Sequence, residues 1–395
     1  MNSVLGSNKM SINGLRVARI STVPFFVVTQ LSAQLSALHE AGAEVHVIAS
    51  NDDMSDALRL RPDLKFIPVN IAREISPLKD LCSLVRLVIL FRKQRYDIVH
   101  STTPKAGLLT AIASRLAGVK VRLHTFTGQP WVTTTGAKKG LLKFCDKLIA
   151  ALNSHSFTDS ASQRDFLVRE GVVPAEKISV IGLGSLAGVD MTRFDAGRFA
   201  PAAVAQTRTE LGIPSSAKVL LFVGRVTPDK GIRELMDAFK LLSGLHQDLY
   251  LILVGPYEAD GREIVEAYLA GERASHVKVL GLQAEPEKYM AAADLLCLPS
   301  YREGFGTVVI EAAAMGLPTV GTDIYGLSDA IVDGQTGLLV PVRNAAALSD
   351  AIDSLLSQPD QLSDMAIQAK ARARRDFDSR RCSALLIEQY EGFHR

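Results

Sequence analysis

Short apolar runs recur along this chain, each followed by a longer stretch patterned as a helix, and that rhythm restricts the fold more than any other feature. "RVARIS" leads to a helical pattern over 27–41, "EVHVIA" and "KFIPV" precede one over 78–94, "DIVHS" precedes one over 105–117, and "VRLHTF" follows. Strands that alternate with helices in this way build βαβ units, and hence a parallel sheet covered on both faces. The rhythm breaks at a polar, turn-rich interval near 184–216. It restarts with "KVLLFVG", "LYLILVG", "HVKVLG", "DLLCLP", "PTVGTD" and "TGLLVP". The expected fold class is α/β, with two doubly wound, Rossmann-like domains facing a central cleft.

A chain of 395 residues is longer than one ordinary core supports. We place a first domain at 1–195, a second at 196–375 and a helix over 376–395, where "DFDSRRCSALLIEQYEGFHR" sets Cys382, Leu385, Leu386, Tyr390 and Phe393 at helical spacing. In doubly wound sheets ligands bind beyond the carboxyl ends of the strands, so the cleft is the expected site.

Hydrophobic residues at 47% and charged residues at 22% describe a folded protein. A formal net charge of +2 gives no bulk attraction for nucleic acid, which is not an expected partner. Cys82, Cys145, Cys297 and Cys382 stand far apart without disulfide or zinc spacing and suit a reducing cytoplasm. "MNSVLGSNKMSINGLRVARI" lacks the apolar core of a signal peptide, and no stretch reaches the ~18 apolar residues of a spanning helix. The expected location is the cytoplasm, with membrane contact limited to the surface.

"VGRVTPDKG", residues 223–231, follows a strand and leads into a helix expected to begin near Asp229. Arg225 and Lys230, flanked by Gly224 and Gly231, then lie where a helix N-terminus already favours an anion such as a diphosphate. The alternative is that both are solvated turn charges. "SYREGFGTVVIEAAAMG", 300–316, sets Glu303 at the carboxyl end of a strand and Glu311 inside the next helix. Gly304 and Gly306 allow close approach of the backbone, and the amides of Phe305, Gly306, Thr307 and Val308 are placed to donate to hydroxyls or phosphate. Glu311 is suited to accept from vicinal ribose hydroxyls and Glu303 to face a sugar. Both acids would equally favour the positive end of a helix dipole.

These stretches together, with "GLSDAIVDGQTGLLVP" after them, resemble the family-4 retaining glycosyltransferases of the GT-B fold, over roughly 222–341. The resemblance implies that Arg225 and Lys230 bind the donor diphosphate, that Glu311 holds the ribose and that Glu303 contacts the donor sugar. It also implies that Gly224 and the 304–308 loop line the donor site and that "GLQAEPEKY", with Glu287, lies beside the nucleobase. The implied donor is a nucleoside diphosphate sugar, a UDP-sugar on family grounds. Fixed cations can stabilise the leaving diphosphate, so no metal or other cofactor is expected. The one D-x-D, Asp376 and Asp378, reads as a helix cap.

In the first domain, "DIVHSTTPKAG" should line the cleft from His100 to Lys105. Many relatives carry a second histidine where this chain has Thr102, which leaves His100 or His124 as substitutes for the catalytic role. Thr102, Thr103, Lys105 and Trp131 form the expected acceptor side, with Trp131 either stacked on a sugar or packed inside. "GSLAGVDMTRF" resembles a turn of transferases that extend bacterial exopolysaccharides or lipid-linked oligosaccharides, which makes a glycan on a polyprenyl diphosphate the implied acceptor. The last helix is expected to cross back to the first domain.

"KKGLLKFCDKLIAAL", 138–152, mixes Lys138, Lys139, Lys143 and Lys147 with Leu141, Leu142, Phe144 and Leu148, and "LVILFRKQRY" is similar. Either lies on an anionic membrane or is a solvated face over core-packed residues. A sugar-nucleotide epimerase on the same scaffold and an inactive sugar-nucleotide binder remain alternatives to a transferase.

Overall fold

A computed structural model describes residues 12–394 apart from 73, 75 and 272. The start of the first expected domain, with most of the stretch read as lacking a signal core, lies outside the described residues.

Seven strands form the first sheet: β1 (Arg16–Ile20), β2 (Glu44–Ala49), β3 (Lys65–Pro68), β4 (Ile98–Thr102), β5 (Val121–Phe126), β6 (His155–Thr158) and β7 (Ile178–Val180). Their order is β3-β2-β1-β4-β5-β6-β7 and every pairing is parallel. The second sheet has β8 (Lys218–Val223), β9 (Leu249–Val254), β10 (Val277–Gly281), β11 (Leu295–Leu298), β12 (Thr319–Thr322) and β13 (Gly337–Val340), in the order β10-β9-β8-β11-β12-β13, again all parallel. Each sheet therefore reverses its winding beside its first strand, which opens a crevice between β1 and β4 and another between β8 and β11.

Strands buried on both faces need continuous rather than alternating apolar sequence. "VLLF" of β8 supplies it, with Val219 to Phe222 fully buried. The helix Ile232–Ser243 covers this sheet through Ile232, Leu235, Met236, Phe239 and Leu242, spaced three and four apart as one helical face requires. In the first domain, Leu31, Leu35 and Leu38 cover one face of the sheet, and Phe91, Leu109 and Ala113 belong to the core on the other.

The last helix, Ser379–His394, packs on Ser32–Glu40 and buries Leu386 and Tyr390 in the first domain's core. Phe377, just before it, belongs to the second domain's core. The crossing is pinned to the interdomain connector, where the Val189 N–H donates to the Phe377 carbonyl at 2.7 Å and the Ser379 N–H to the Val189 carbonyl at 2.9 Å. Asp378 accepts from the Arg380 N–H at 2.9 Å, which caps this helix, while Asp376 pairs with Arg375 at 2.7 Å.

Several local expectations need correction. Asp229 does not begin a helix: Pro228–Lys230 form a single 3-10 turn and the α-helix starts at Ile232. The interval 184–216 contains a helix, Pro201–Glu210. The helical pattern at 27–41 is interrupted by a π-helical turn, Val27–Leu31. "HSFT" and "ISV", β6 and β7, were not anticipated, being too short and too polar to stand out. Among the described residues no helix is long and apolar enough to cross a membrane.

Candidate active site

The loops leaving β8 and β11 meet because of one glycine. Gly231 has φ +70, and a Cβ there would fall 1.9 Å from the Pro299 carbonyl oxygen, so any other residue would force the loops apart. With them in contact, Lys230 Nζ lies 2.5 Å from Glu303 Oε1, which also accepts from the Ser300 hydroxyl at 2.8 Å. Arg225 donates to Glu258 at 2.6 Å and stands 3.8 Å from Asp229. Asp229 in turn accepts from Arg302 at 3.0 Å. Burial, the largest single influence, opposes the charge of Arg225, but the bond to Glu258 and the charges of Glu258, Asp229 and Glu303 together outweigh it and hold the guanidinium more firmly protonated.

Gly306, at φ +83, turns the chain into the helix Thr307–Ala314. First-turn N–H groups of a helix have no carbonyl partner within it, and the macrodipole adds partial positive charge. Glu303 stands three residues ahead of Gly306, so acid, cation and helix mouth share one place. Phe305 turns its ring inward onto Phe377, centroids 5.2 Å apart, and is buried. Glu311 lies one turn into the helix, where burial pushes its carboxyl up to about 7, Arg193 pulls it down and Glu287 pushes it up. Glu287 is buried and takes a bidentate bond from Arg193, both contacts at 2.9 Å. Gly224, Arg225, Lys230, Gly304 to Val308 and Glu311 therefore gather at the β8–β11 crevice.

A family model described as glycosyl transferases group 1 matches residues 204–372, and another, a glycosyl transferase 4-like domain, matches 27–184. The chain is a glycosyltransferase, with a 4-like domain followed by a group 1 domain. Over 366 residues this glycosyltransferase is 26% identical to the capsular polysaccharide biosynthesis glycosyltransferase CapM of Staphylococcus aureus, covering 92% of this chain and 93% of the relative. It is 28% identical to the UDP-Gal:alpha-D-GlcNAc-diphosphoundecaprenol alpha-1,3-galactosyltransferase of Escherichia coli, over 73% of each. Among solved structures, sucrose-phosphate synthase from Thermosynechococcus elongatus gives a TM-score of 0.80 at 23% identity, covering 96% of this chain and 98% of that one. HepE of Anabaena, solved with UDP and glucose, gives 0.78 at 20% identity over 95% and 99%. At these identities the structural likeness speaks to the fold, two Rossmann-like domains in the GT-B arrangement.

The glycosyltransferase's first domain departs from the expected acceptor side. His100 is 1% exposed and is bonded to Arg19, Tyr390 and Thr125, so it does not line the cleft. Burial, with Arg19 and His124 adding to it, holds His100 well below the usual histidine value and neutral. His124 is equally buried, with its ring against Gly107, and burial lowers it to about 3. Neither histidine reaches a substrate here. The Thr102 hydroxyl is buried and directed to the Ile20 carbonyl. Lys105 turns away to Asp80 at 2.7 Å. Thr103 holds the strained φ of +68 and bonds the Thr22 hydroxyl at 2.8 Å. Trp131 is a core residue: it is 2% exposed, stacks on Phe166 and donates its indole N–H to Asp146 at 2.7 Å. For His100, Thr102 and His124 the reason is shared. Parallel strands and their first exit residues are covered from both faces, so a strand-end position does not ensure access.

Sequence reasoning missed Ser300, Glu258 and Arg193, which bond the predicted Glu303, Arg225 and Glu287, and Arg302, which bonds Asp229. Ser300 and Arg302, close to Glu303 in "SYREGFG", and Arg193 in "GSLAGVDMTRF" lay within stretches already singled out, whereas Glu258 carried no local signal. It also missed the seam between the domains. There Ser160 donates to the Gly304 carbonyl at 3.1 Å, the Ser162 hydroxyl bonds Asp329, and the Gly326 N–H donates to Ser162 at 2.9 Å.

Proposed function

We propose that this glycosyltransferase moves a sugar, with retention, from a nucleoside diphosphate donor, a UDP-sugar, to a growing glycan carried on a polyprenyl diphosphate, in bacterial surface polysaccharide synthesis. The observation that carries the reading is the Lys230–Glu303 pair at the mouth of the helix Thr307–Ala314, with Arg225 on the same loop. As the donor bond breaks, negative charge grows on the diphosphate. Arg225, Lys230 and the first-turn N–H groups stand where they can stabilise it. These groups supply the charge stabilisation without a metal. Glu303 orients the sugar through its hydroxyls, and Glu311 accepts from the ribose. The names of CapM and of the Escherichia coli galactosyltransferase support the glycan and lipid-diphosphate acceptor, and the UDP and glucose of HepE support the donor.

The acceptor class calls for a membrane surface in the cytoplasm, and the first domain offers one. The helix Gly136–Leu152 exposes Leu141 and Phe144 among Lys138, Lys139 and Lys147, and the helix Pro77–Gln94 exposes Leu78, Leu81, Val85 and Ile89 among Arg86, Arg92 and Lys93. Both pack on Pro104–Leu116 between them. An apolar strip with basic flanks suits anionic lipid.

Calorimetric titration with UDP, GDP and ADP, with and without EDTA, tests the donor site. Binding of UDP that survives EDTA and is lost in Arg225→Ala is the expected result. Transfer from UDP-sugars to undecaprenyl-diphosphate glycans then tests the reaction. Binding without any turnover would favour an inactive binder, and a free altered sugar an epimerase.

A further inference from the structure

Beneath the cleft the first domain holds a chain of buried polar groups that the donor site does not use. Arg19 of β1 is 1% exposed. Its guanidinium donates to His100 Nδ1 at 2.7 Å, to the Tyr390 hydroxyl at 2.7 Å and to Gln34 Oε1 at 3.2 Å. An arginine only donates, so Nδ1 of His100 is the acceptor and the ring proton sits on Nε2. Nε2 therefore donates to Thr125 Oγ1 at 2.7 Å, which leaves the Thr125 hydroxyl proton to go onward. Gln34, His100, Thr125, Asp159 and Ser185 line one small cavity of about 10 Å³, close to the space one water requires.

Asp159 stands across that cavity, just past the end of β6. It is buried, and its Oδ1 is without a hydrogen-bond partner. On its other side it meets the second domain. A Cβ added to Gly304 would lie 2.8 Å from Asp159 Oδ2 and 2.0 Å from the Thr127 carbonyl oxygen. Gly304 is the residue after Glu303, and its carbonyl accepts from Ser160, the neighbour of Asp159. One carboxyl group thus separates the Arg19–His100–Thr125 chain from the loop that carries Glu303.

We propose that Asp159 is a positioning residue for the donor loop: as a neutral acid it closes the buried chain through a water held by Thr125 and lets the Glu303–Gly306 loop seat on the first domain. A neutral acid suits this place because the Thr127 carbonyl oxygen lies with it against Gly304, and among the described residues its carboxyl forms no ion pair. Burial pushes its carboxyl up to about 8, which agrees with that state at neutral pH. The groups around it are few: neutral His100 of β4 with Arg19 of β1 behind it, Thr125 and Thr127 at β5, Gln34, Gln163, Ser185, Leu386, and Arg302 and Glu303 beside Gly304. Ionisation above pH 8 places an unpaired anion in the seam and unseats the loop.

The chain's one tryptophan reports on this seam, because Trp131 stacks on Phe166 and Phe166 on Tyr325 of the second domain, with centroids 5.4 and 4.7 Å apart. Trp131 emission and UDP affinity are measured from pH 6.5 to 9.5 in the full chain, in Asp159→Asn and in Thr125→Val, with thermal melts as the check on folding. The wild type should show an emission transition near pH 8 and a several-fold loss of UDP affinity above it. Asp159→Asn should show neither while keeping the affinity seen at pH 7. Thr125→Val, which leaves Asp159 in place but removes its donor, should shift the transition upward, and it serves alone if Asp159→Asn does not fold. The proposal is overturned by a wild type without a transition, by the same transition in Asp159→Asn, by a folded Asp159→Asn that has lost UDP binding at pH 7, or by an unmoved transition in Thr125→Val.

Discussion

Lys230 and Glu303 come from different loops of the second sheet and meet at 2.5 Å, with Ser300 fixing the same carboxylate oxygen. The pair places an acid against a cation at a helix mouth, which is where the proposed function sets the donor sugar beside its diphosphate.

Glu303→Gln keeps the shape but removes the charge. Turnover should fall at least ~100-fold, the scale of losing one fixed polar contact to a transition state, while UDP affinity stays within about threefold. Initial rates set beside calorimetry separate the two. Equal losses in both would mean that Glu303 serves binding alone.

Arg225→Ala should weaken UDP binding by roughly 10- to 100-fold, as expected for a charge-assisted contact. Glu258→Ala removes the partner that competes for Arg225 at 2.6 Å, so UDP should bind as tightly as in the wild type or more tightly. Weaker UDP binding in Glu258→Ala would mean that this acid holds Arg225 in its working position.

Glu311 predicts a pH dependence. Its carboxyl is held at about 7, above the ordinary carboxylate value of ~4.3, chiefly by burial. Ribose hydroxyls donate best to the ionised form, so UDP affinity should rise from pH 6 towards 8, before the loss that ionisation of Asp159 brings above pH 8, with protons released on binding near pH 7. The stability sign is opposite: the folded chain keeps a proton that the unfolded chain gives up, so this group costs stability increasingly as pH rises from ~4.3 to 7. Glu311→Gln should abolish both slopes, measured by calorimetry in two buffers and by thermal melts.

Trp131→Ala should cost about 3–5 kcal/mol of stability, since it opens a cavity beside Phe166 and leaves Asp146 without its donor. Acceptor KM in the folded fraction should not change. A raised KM at unchanged melting temperature would restore Trp131 to the acceptor surface.

The fold and the meeting of Lys230 with Glu303 at a helix mouth were legible for a local reason. Continuous apolar runs such as "VLLF" of β8 mark strands buried on both faces. The residues from 223 to 231 and from 300 to 311 are each contiguous, so the turn and helix that carry them also decide where they point. Gly231, Gly304 and Gly306 could be read as sites of close approach because nothing else fits there.

The acceptor side was not legible, because there the same kinds of residue are sorted by what packs over them. His100 and Trp131 look like ligand groups in the sequence, yet Tyr390, nearly three hundred residues from His100, lies against that ring at 2.6 Å, and Phe166 covers Trp131. Asp159 showed no pattern at all, and its place between a buried polar chain and Gly304 exists only once two domains and the last helix are assembled. The sequence by itself determined two parallel-sheet domains and the glycine-flanked turn that carries Arg225 and Lys230, since periodicity, glycine and helix ends act over a few neighbouring residues. Only the tertiary structure decided which polar side chains remain in the cleft and which become neutral and buried, because desolvation depends on partners that the chain brings from far away.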